Sequence, residues 1–463
     1  MHALRRFVIA PALAAALVAP AGAAAGNALP HLSPDPRILP MLAAVSAARL
    51  QRTDERLVAF GTRNDFSETS STATHGVFAA RDWIAGQFRA VAAQTHGRMS
   101  VALDTFVQPQ TPRTPRAVTE SSIIATLRGD EPGRVYVMSS HYDDCDGDCT
   151  DGAGVAPGSD DNGSAVSAVL ETARVMAHMH FHGTILFACF DGEELGLWGS
   201  AHFAKELADW RVPVLAVLNN DVIGDTQGGG GLSEPEVVRV FSEALPLGAV
   251  DARVNLIGSE NDSPSRELSR FVAEVVPVYV PGFSVREIFR SDRFLRGGDQ
   301  QSFQALGYPA VRFVEAHENF EHQHQNVRVE NGVQYGDIPR YLDPAYLARA
   351  TRANVAALAT LALGPAPPGN VEMVMKHLGY TTTLRWRPAA DAVRYEVLWR
   401  ATDAPTWQYA HAVGNVLTAT LPVSKDDFIF GVRSVDARGL RSPAVYPTPV
   451  RERAAPPHGS SLP

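Results

Sequence analysis

Several histidines and carboxylates stand where they could hold a metal ion. His141 follows the apolar run Val135–Ser140. Asp191, Glu193 and Glu194 follow Thr184–Phe190, and Asp221 follows Val214–Leu218 after two asparagines. Glu315, His317 and His322 come after Ala310–Val314. If these runs are strands of an open α/β sheet, their carboxyl ends share one edge, where such sheets bind ligands. Imidazole mixed with carboxylate is the donor set of a borderline cation such as zinc. Helix capping is the plainer use of an acidic residue after a strand. Capping accounts for Asp160 or Asp191, but not for His141 or the adjacent pair Glu193 and Glu194.

The segments between these positions fit that sheet. Residues 41–60 and 76–94 read as amphipathic helices around a polar turn, Gly61-Thr-Arg-Asn-Asp65. Ser164–Met179 is helical in pattern, with Val166, Val169, Leu170 and Ala173 on one face. Leu197–Trp210, Ser265–Val275 and the alanine-rich Tyr346–Leu363 read the same way. Strands alternating with helices require crossover connections, so residues 26–363 form an α/β domain. Its sheet is mostly parallel, of mixed type overall and flanked by helices, and its N-terminal part is helical to about residue 100. Gly364-Pro-Ala-Pro-Pro-Gly369 is a stiff linker. Residues 370–450 hold short runs such as Thr381–Trp386, Tyr395–Arg400, Trp407–Val413, Thr418–Val423 and Phe428–Val435. Tyr395, Val397 and Trp399 share one face, and the regular spacing of the runs predicts a small all-β sandwich. Residues 451–463 read as a disordered tail.

Composition narrows the class. The 463 residues carry 41 basic and 50 acidic side chains, a net charge of −9. Such a surface does not suit phosphate, so a nucleic-acid partner is excluded. Residues 1–25 combine a basic start, an apolar stretch and small residues near Ala23–Ala25, the pattern of a cleaved signal peptide. Export to the periplasm or the extracellular space follows, and no later run is apolar enough for an integral membrane span. An oxidising compartment allows a Cys145–Cys149 bridge, the competing reading being two free or metal-seeking thiols. Cys189 reads as a small buried hydrophobe.

The motifs His141-Tyr-Asp143, Pro157-Gly-Ser-Asp-Asp-Asn-Gly-Ser164, Asp191-Gly-Glu-Glu194 and Asn220-Asp221 resemble, in order, those of secreted di-zinc aminopeptidases. That superfamily includes glutamate carboxypeptidase, the transferrin receptor and glutaminyl cyclase. The likeness covers roughly residues 120–330, and Gly298-Asp-Gln-Gln-Ser-Phe to Gly307-Tyr-Pro-Ala is similar to the family's segment before its last ligand. The C-terminal module is similar to fibronectin type III domains. The resemblance implies a zinc-exopeptidase fold, two Zn2+ ions, peptide or protein substrates, and an aminopeptidase activity. It places His141 on one metal, with Asp143 holding the imidazole by its other nitrogen. Asp161 bridges both metals through a carboxylate next to a bond, to Asn162, that is often cis in the family. Glu194 and Asp221 each complete one metal, and Glu193 is the general base. The family places its last histidine four residues before an acidic one. In Glu321-His-Gln-His-Gln-Asn326 this favours His322, with Asn326 at that offset, over the alternative His324. His317 is a polar loop residue, and Asp299 either contacts a substrate ammonium or caps a helix. The C-terminal module is expected to contact a polymer, the envelope or the catalytic domain.

Rival readings stand beside this one. His317-Glu-Asn-Phe-Glu-His322 looks like a helical zinc motif with one residue too many. Five positions turn a helix by about 500°, so the two imidazoles diverge. A receptor on the same scaffold needs no general base, and a glutaminyl-cyclase-like acyltransferase would use one zinc. A substrate carboxylate bound by Arg286, Arg290 or Arg312 would turn the direction to carboxypeptidase. His178, His180 and His182 and the acidic loop Asp143–Asp151 read as solvated.

Overall fold

The computed structural model describes residues 27–244, 261–376 and 379–450, so the expected signal peptide and tail lie outside the described residues. The chain opens on β1 (Asn27–Ala28), followed by α1 (Leu39–Ala43), α2 (Ala47–Val58) and α3 (Val77–Ala92). Next come β2 (Met99–Gln108), β3 (Val118–Leu127), β4 (Glu131–His141), α4 (Ala165–Met176) and β5 (Gly183–Phe190). The short α5 (Glu193–Gly196), α6 (Trp198–Asp209), β6 (Val214–Asn220), β7 (Val237–Phe241) and α7 (Pro264–Tyr279) continue the order. β8 (Ser284–Ile288), α8 (Gln300–Gln304), β9 (Ala310–Glu315), the hairpin β10 (Arg328–Glu330) and β11 (Val333–Tyr335), and α9 (Pro344–Leu363) complete the α/β part.

Eight of these strands form one mixed sheet in the order β2-β3-β5-β4-β6-β9-β7-β8. The central strands β5, β4, β6 and β9 run parallel, while β2, β3 and β7 join antiparallel. Along β4, Tyr136 and Met138 pack under α1–α4, α7 and α9, whereas Val135 and Val137 pack under α6 and α8. Both faces are therefore covered, which is why the parallel strands read as unbroken apolar runs. The helix α9 starts where expected because the Asp343 carboxylate accepts from Ala345 N and Tyr346 N, with Pro344 in the first turn. The expected helix over 41–60 is two helices. Ser46 breaks it by giving its own N–H to Glu171 at 2.9 Å and accepting from Arg49 N at 3.3 Å, which starts α2.

Beyond α9 lie β12 (Gly369–Val374), β13 (Thr382–Arg387), β14 (Arg394–Ala401), β15 (Tyr409–Gly414), β16 (Thr418–Leu421), β17 (Phe428–Val435) and β18 (Thr448–Val450). They form two four-stranded sheets, β1-β15-β14-β17 and β16-β13-β12-β18, with Trp386, Tyr395, Val397, Trp399 and Phe430 in one core. β1 belongs to this sandwich, with Asn27 opposite Ala410 and Ala28 opposite Tyr409. The expected start of the α/β domain at residue 26 therefore shifts past β1. The linker is tied down as well: Ala366 N donates to Ala390 O at 3.1 Å, and Gly369 already pairs in β12. Among the described residues no helix is long and apolar enough to cross a membrane.

Candidate metal centre

The carboxyl ends of β4, β5 and β6 deliver the expected side chains to one edge. His141 is the last residue of β4 and is 1% exposed. Gly192, at φ 71°, turns the chain after β5 and sets Glu193 and Glu194 at the start of α5. This left-handed turn suits glycine, and an added Cβ would meet Glu120 Oε2 at 2.9 Å. Asp221 follows β6, and Asp161 lies in a distorted turn before α4, joined to Asn162 by a cis peptide bond.

These donors face one another. His141 Nε2 is 3.3 Å from Asp161 Oδ1 and 3.5 Å from Asp221 Oδ1. The other oxygen, Asp161 Oδ2, is 3.2 Å from His324 Nε2, which is 3.0 Å from Glu194 Oε2. Metal–donor bonds of about 2.0–2.1 Å in a tetrahedron put neighbouring donors about 3.3 Å apart, so these spacings fit zinc. The buried atoms His141 Nε2 and Glu194 Oε1 have no hydrogen-bond partner, as expected of atoms shaped to take a cation. Glu193 has an oxygen within 4.8 Å of donor atoms of His141 and Asp221. The centre opens into a cavity of about 790 Å³ whose wall includes Asp161, Glu193, Glu194, Asp221 and His324.

Electrostatics follow from this crowding. Removal from water pushes the Glu193 carboxyl well above its usual range. His141 opposes that rise, while Asp221 and Glu194 add to it. Burial alone would lower the His141 imidazole, but Glu193, Asp221, Asp143 and Asp161 outweigh it and raise it. Burial would raise Asp161, yet its bonds to His141 and His324 hold it well below the carboxylate range.

A surrounding layer holds the donors. Asp143 is fully buried, its Oδ1 3.4 Å from His141 Nδ1 and its Oδ2 accepting from Glu194 N at 3.1 Å. Arg63, also fully buried, donates to the carbonyls of Tyr142, Pro157 and Gly158 at 2.7–2.8 Å, clamping the loops of His141 and Asp161 together. Asp337 accepts from Asp160 N and Asp161 N, the latter at 2.7 Å. Arg312 pairs with Asp221, its Nη2 lying 2.7 Å from Oδ2, and its Nη1 donates to Asp292 at 2.8 Å. Arg63, Asp337 and Arg312 are not marked by a motif. The one available signal was a charged residue, Arg312, inside the apolar run of β9.

The last donor differs from expectation. His322 does not face the other donors: its Nδ1 is 2.9 Å from Asp225 Oδ2, its Nε2 is 3.2 Å from Asn319, and its ring stacks on Tyr341 at 3.6 Å. Both ring nitrogens are thus engaged. His324 takes the place, its backbone at φ 52° swinging the side chain into the cavity. A non-glycine residue in that region is strained, as residues at functional sites often are. His317 bonds Glu234 at 2.8 Å, away from the centre, which dissolves the helical His317/His322 motif. Asp299 is fully buried and makes no capping bond, which removes the helix-cap role. Of the arginines considered for a substrate carboxylate, Arg312 is spent on Asp221 and Asp292, and Arg286 on Glu234 at 2.5 Å. Arg290 lies over the Phe294 ring. Cys145 and Cys149 form a disulfide.

A mixed sheet gathering imidazoles and carboxylates at the end of its parallel strands defines the zinc-exopeptidase type of α/β fold. The chain belongs to peptidase family M28, whose model matches residues 122–338. A probable zinc metalloprotease of Leptosphaeria maculans is 43% identical over 430 residues, covering 92% of this chain and all of the relative. One from Pyricularia oryzae is 41% identical over 442 residues, covering 93% and 88%. The LapA aminopeptidase of Legionella pneumophila shares the fold at a TM-score of 0.52 and 20% identity, covering 70% of this chain and 74% of that one. An aminopeptidase from Aneurinibacillus sp. strain AM-1 does so at 0.50 and 14%, covering 70% and 96%.

Proposed function

We propose that this protein is an exported zinc exopeptidase, an aminopeptidase, working with two metal ions and with Glu193 as general base. The observation that carries the reading is the division of Asp161: Oδ1 faces His141 and Oδ2 faces His324, as in a carboxylate spanning two cations. His141 and Asp221 would hold one ion with Asp161, and Glu194 and His324 the other. Zinc bound there supplies an acidified water and polarises a carbonyl. Glu193 borders that space without being one of the donors in these two sets. From there its carboxylate can take a proton from that water and pass it to the leaving amine. The backbone carbonyl of Asp143, 3.1 Å from Nδ1, keeps the His141 ring oriented and leaves Nε2 for the metal. Family membership supports peptide-bond chemistry, and the aminopeptidases sharing the fold favour attack from the amino end. The Cys145–Cys149 disulfide suits an oxidising compartment, in line with the signal-like N-terminus.

The test uses the purified protein on paired peptides, one with a free amine and one N-acetylated, with and without a chelator. Stepwise release from the free amine, abolished by chelation and restored by zinc, is expected. Release from the carboxyl end of the blocked peptide would reverse the direction, and turnover indifferent to chelation would remove the metal.

A further inference from the structure

The disulfide is part of the metal centre's wall. One donor atom each from Cys145, Cys149, Glu194 and His324 lies within 4.8 Å of the others. Cys149 borders the cavity, and Cys145 is 7% exposed beneath it. The loop between them is held at its middle and its far end: Gly147 N donates to Asn326 Oδ1 at 2.8 Å, and Asn64 Nδ2 donates to Cys149 O at 2.9 Å. Asn326 lies two residues beyond His324, so the cysteine loop and the histidine loop are fastened to each other. Opening the S–S bond would leave both sulfurs beside the donors. The Cys-x3-Cys spacing, with Cα atoms 4.7 Å apart, is also that of thiolate pairs in four-coordinate zinc sites.

We propose that in the reduced protein Cys145 and Cys149 displace Asp161 Oδ2 and join Glu194 and His324 as a closed, four-donor zinc site. A dithiol reductant breaks the S–S bond, supplying two electrons and two protons as its own sulfurs join in a new disulfide. The two cysteine thiols release their protons on binding the metal. Thiolates are stronger zinc ligands than carboxylates, and four protein donors leave no position for water. The reduced chain thus holds its metal tightly and idles, and oxidation of the cysteines reopens the position. The consequence for activity rests on the peptidase reading; the ligation itself does not.

Cobalt(II)-substituted protein separates the two. A phosphine replaces the dithiol in this experiment, its oxide taking oxygen from water, so that no added thiol can bind the metal. Reduction should bring up a near-ultraviolet thiolate-to-cobalt band. That band should be missing from the Cys145→Ser/Cys149→Ser double variant and from native protein alkylated after reduction. On the zinc form, reduction should slow metal transfer to a chelator, as two added thiolates require. No band on reduction, or an equal band in the alkylated protein, overturns the proposal. A band without peptide hydrolysis in either redox state would leave this site standing and sink the peptidase reading.

Discussion

Two buried charge clusters in this molecule are built on opposite terms. Between α7 and the sandwich, each acidic group has its cation. Asp262 takes Arg270 and Arg400, each at 2.7 Å. Glu267 takes Arg270 and the Trp407 indole N–H, and Arg433 spans Glu274 and Glu396 at 2.8 Å each. At the metal centre, Asp161, Glu193, Glu194 and Asp221 meet two imidazoles and the guanidinium of Arg312, with Arg296 reaching only His324 Nε2, at 3.2 Å. Buried charge without a partner costs several kcal/mol, so the second cluster is complete only when cations arrive from solution. The first is a finished joint. It makes the sandwich a docked part of the molecule, with Asp262 and Arg400 both at 3% exposure or less along their side chains.

The sharpest way to test the unbalanced cluster is at the residue that is not a donor. Glu193→Gln should keep its zinc while kcat falls about 10²–10⁴-fold, the usual span for a lost general base. Metal analysis beside steady-state kinetics checks this, and near-normal turnover would take Glu193 out of the role. Asp161→Ala should lose zinc and activity together. At the balanced cluster, Asp262→Ala strands Arg270 and Arg400 in the interior. It should destabilise by about 3–5 kcal/mol in denaturant unfolding, as expected for one broken partner of a buried pair. Zinc content of the folded fraction should not change. Metal loss in step with Asp262 would mean that the two clusters are coupled rather than contrasting.

How far the sequence reveals this depends on the range of the interaction. The central strands are legible because parallel strands covered on both faces are unbroken apolar runs, and Val135–Ser140 lies within β4. β2 is not legible in this way, being an edge strand with half-exposed alternation and no apolar run to mark it. His141, Asp161, Glu194 and Asp221 are legible as a set because each follows its strand or motif directly. Arg63 and Asp337 are not: their partners lie 79 or more residues away, and each resembles an ordinary polar turn residue. The last donor was misread for a related reason. Spacing to Asn326 favoured His322, but the choice is made by Asp225, which captures His322 Nδ1, and by the left-handed backbone at His324. Asn326 instead ties down the cysteine loop. His324→Ala should therefore weaken zinc binding by at least about 100-fold, beyond the loss typical of an outer partner. His322→Ala should keep its zinc, and chelator competition on the two variants decides between them.

The smallest expected effect lies just behind the centre, where the contrast is carried by protons. Glu120, Asp65 and Asp191 are buried together, and both oxygens of Glu120 lack a hydrogen-bond partner. Burial, reinforced by Asp191 and Asp143, pushes the Glu120 carboxyl from 4.5 up to about 11. The folded chain therefore keeps a proton there that the unfolded chain gives up above its ordinary value. This group's contribution to stability is whole below that value and drains away as pH rises towards the folded one. Glutamine needs no proton, and its amide can donate to Asp191 Oδ1, which also lacks a partner. Glu120→Gln should thus raise Tm by more at pH 8 than at pH 5, about 2–4 °C for each kcal/mol recovered. A Tm difference flat across that range would mean that Glu120 is ionised in the fold. This pocket would then be a second place where the protein relies on a cation.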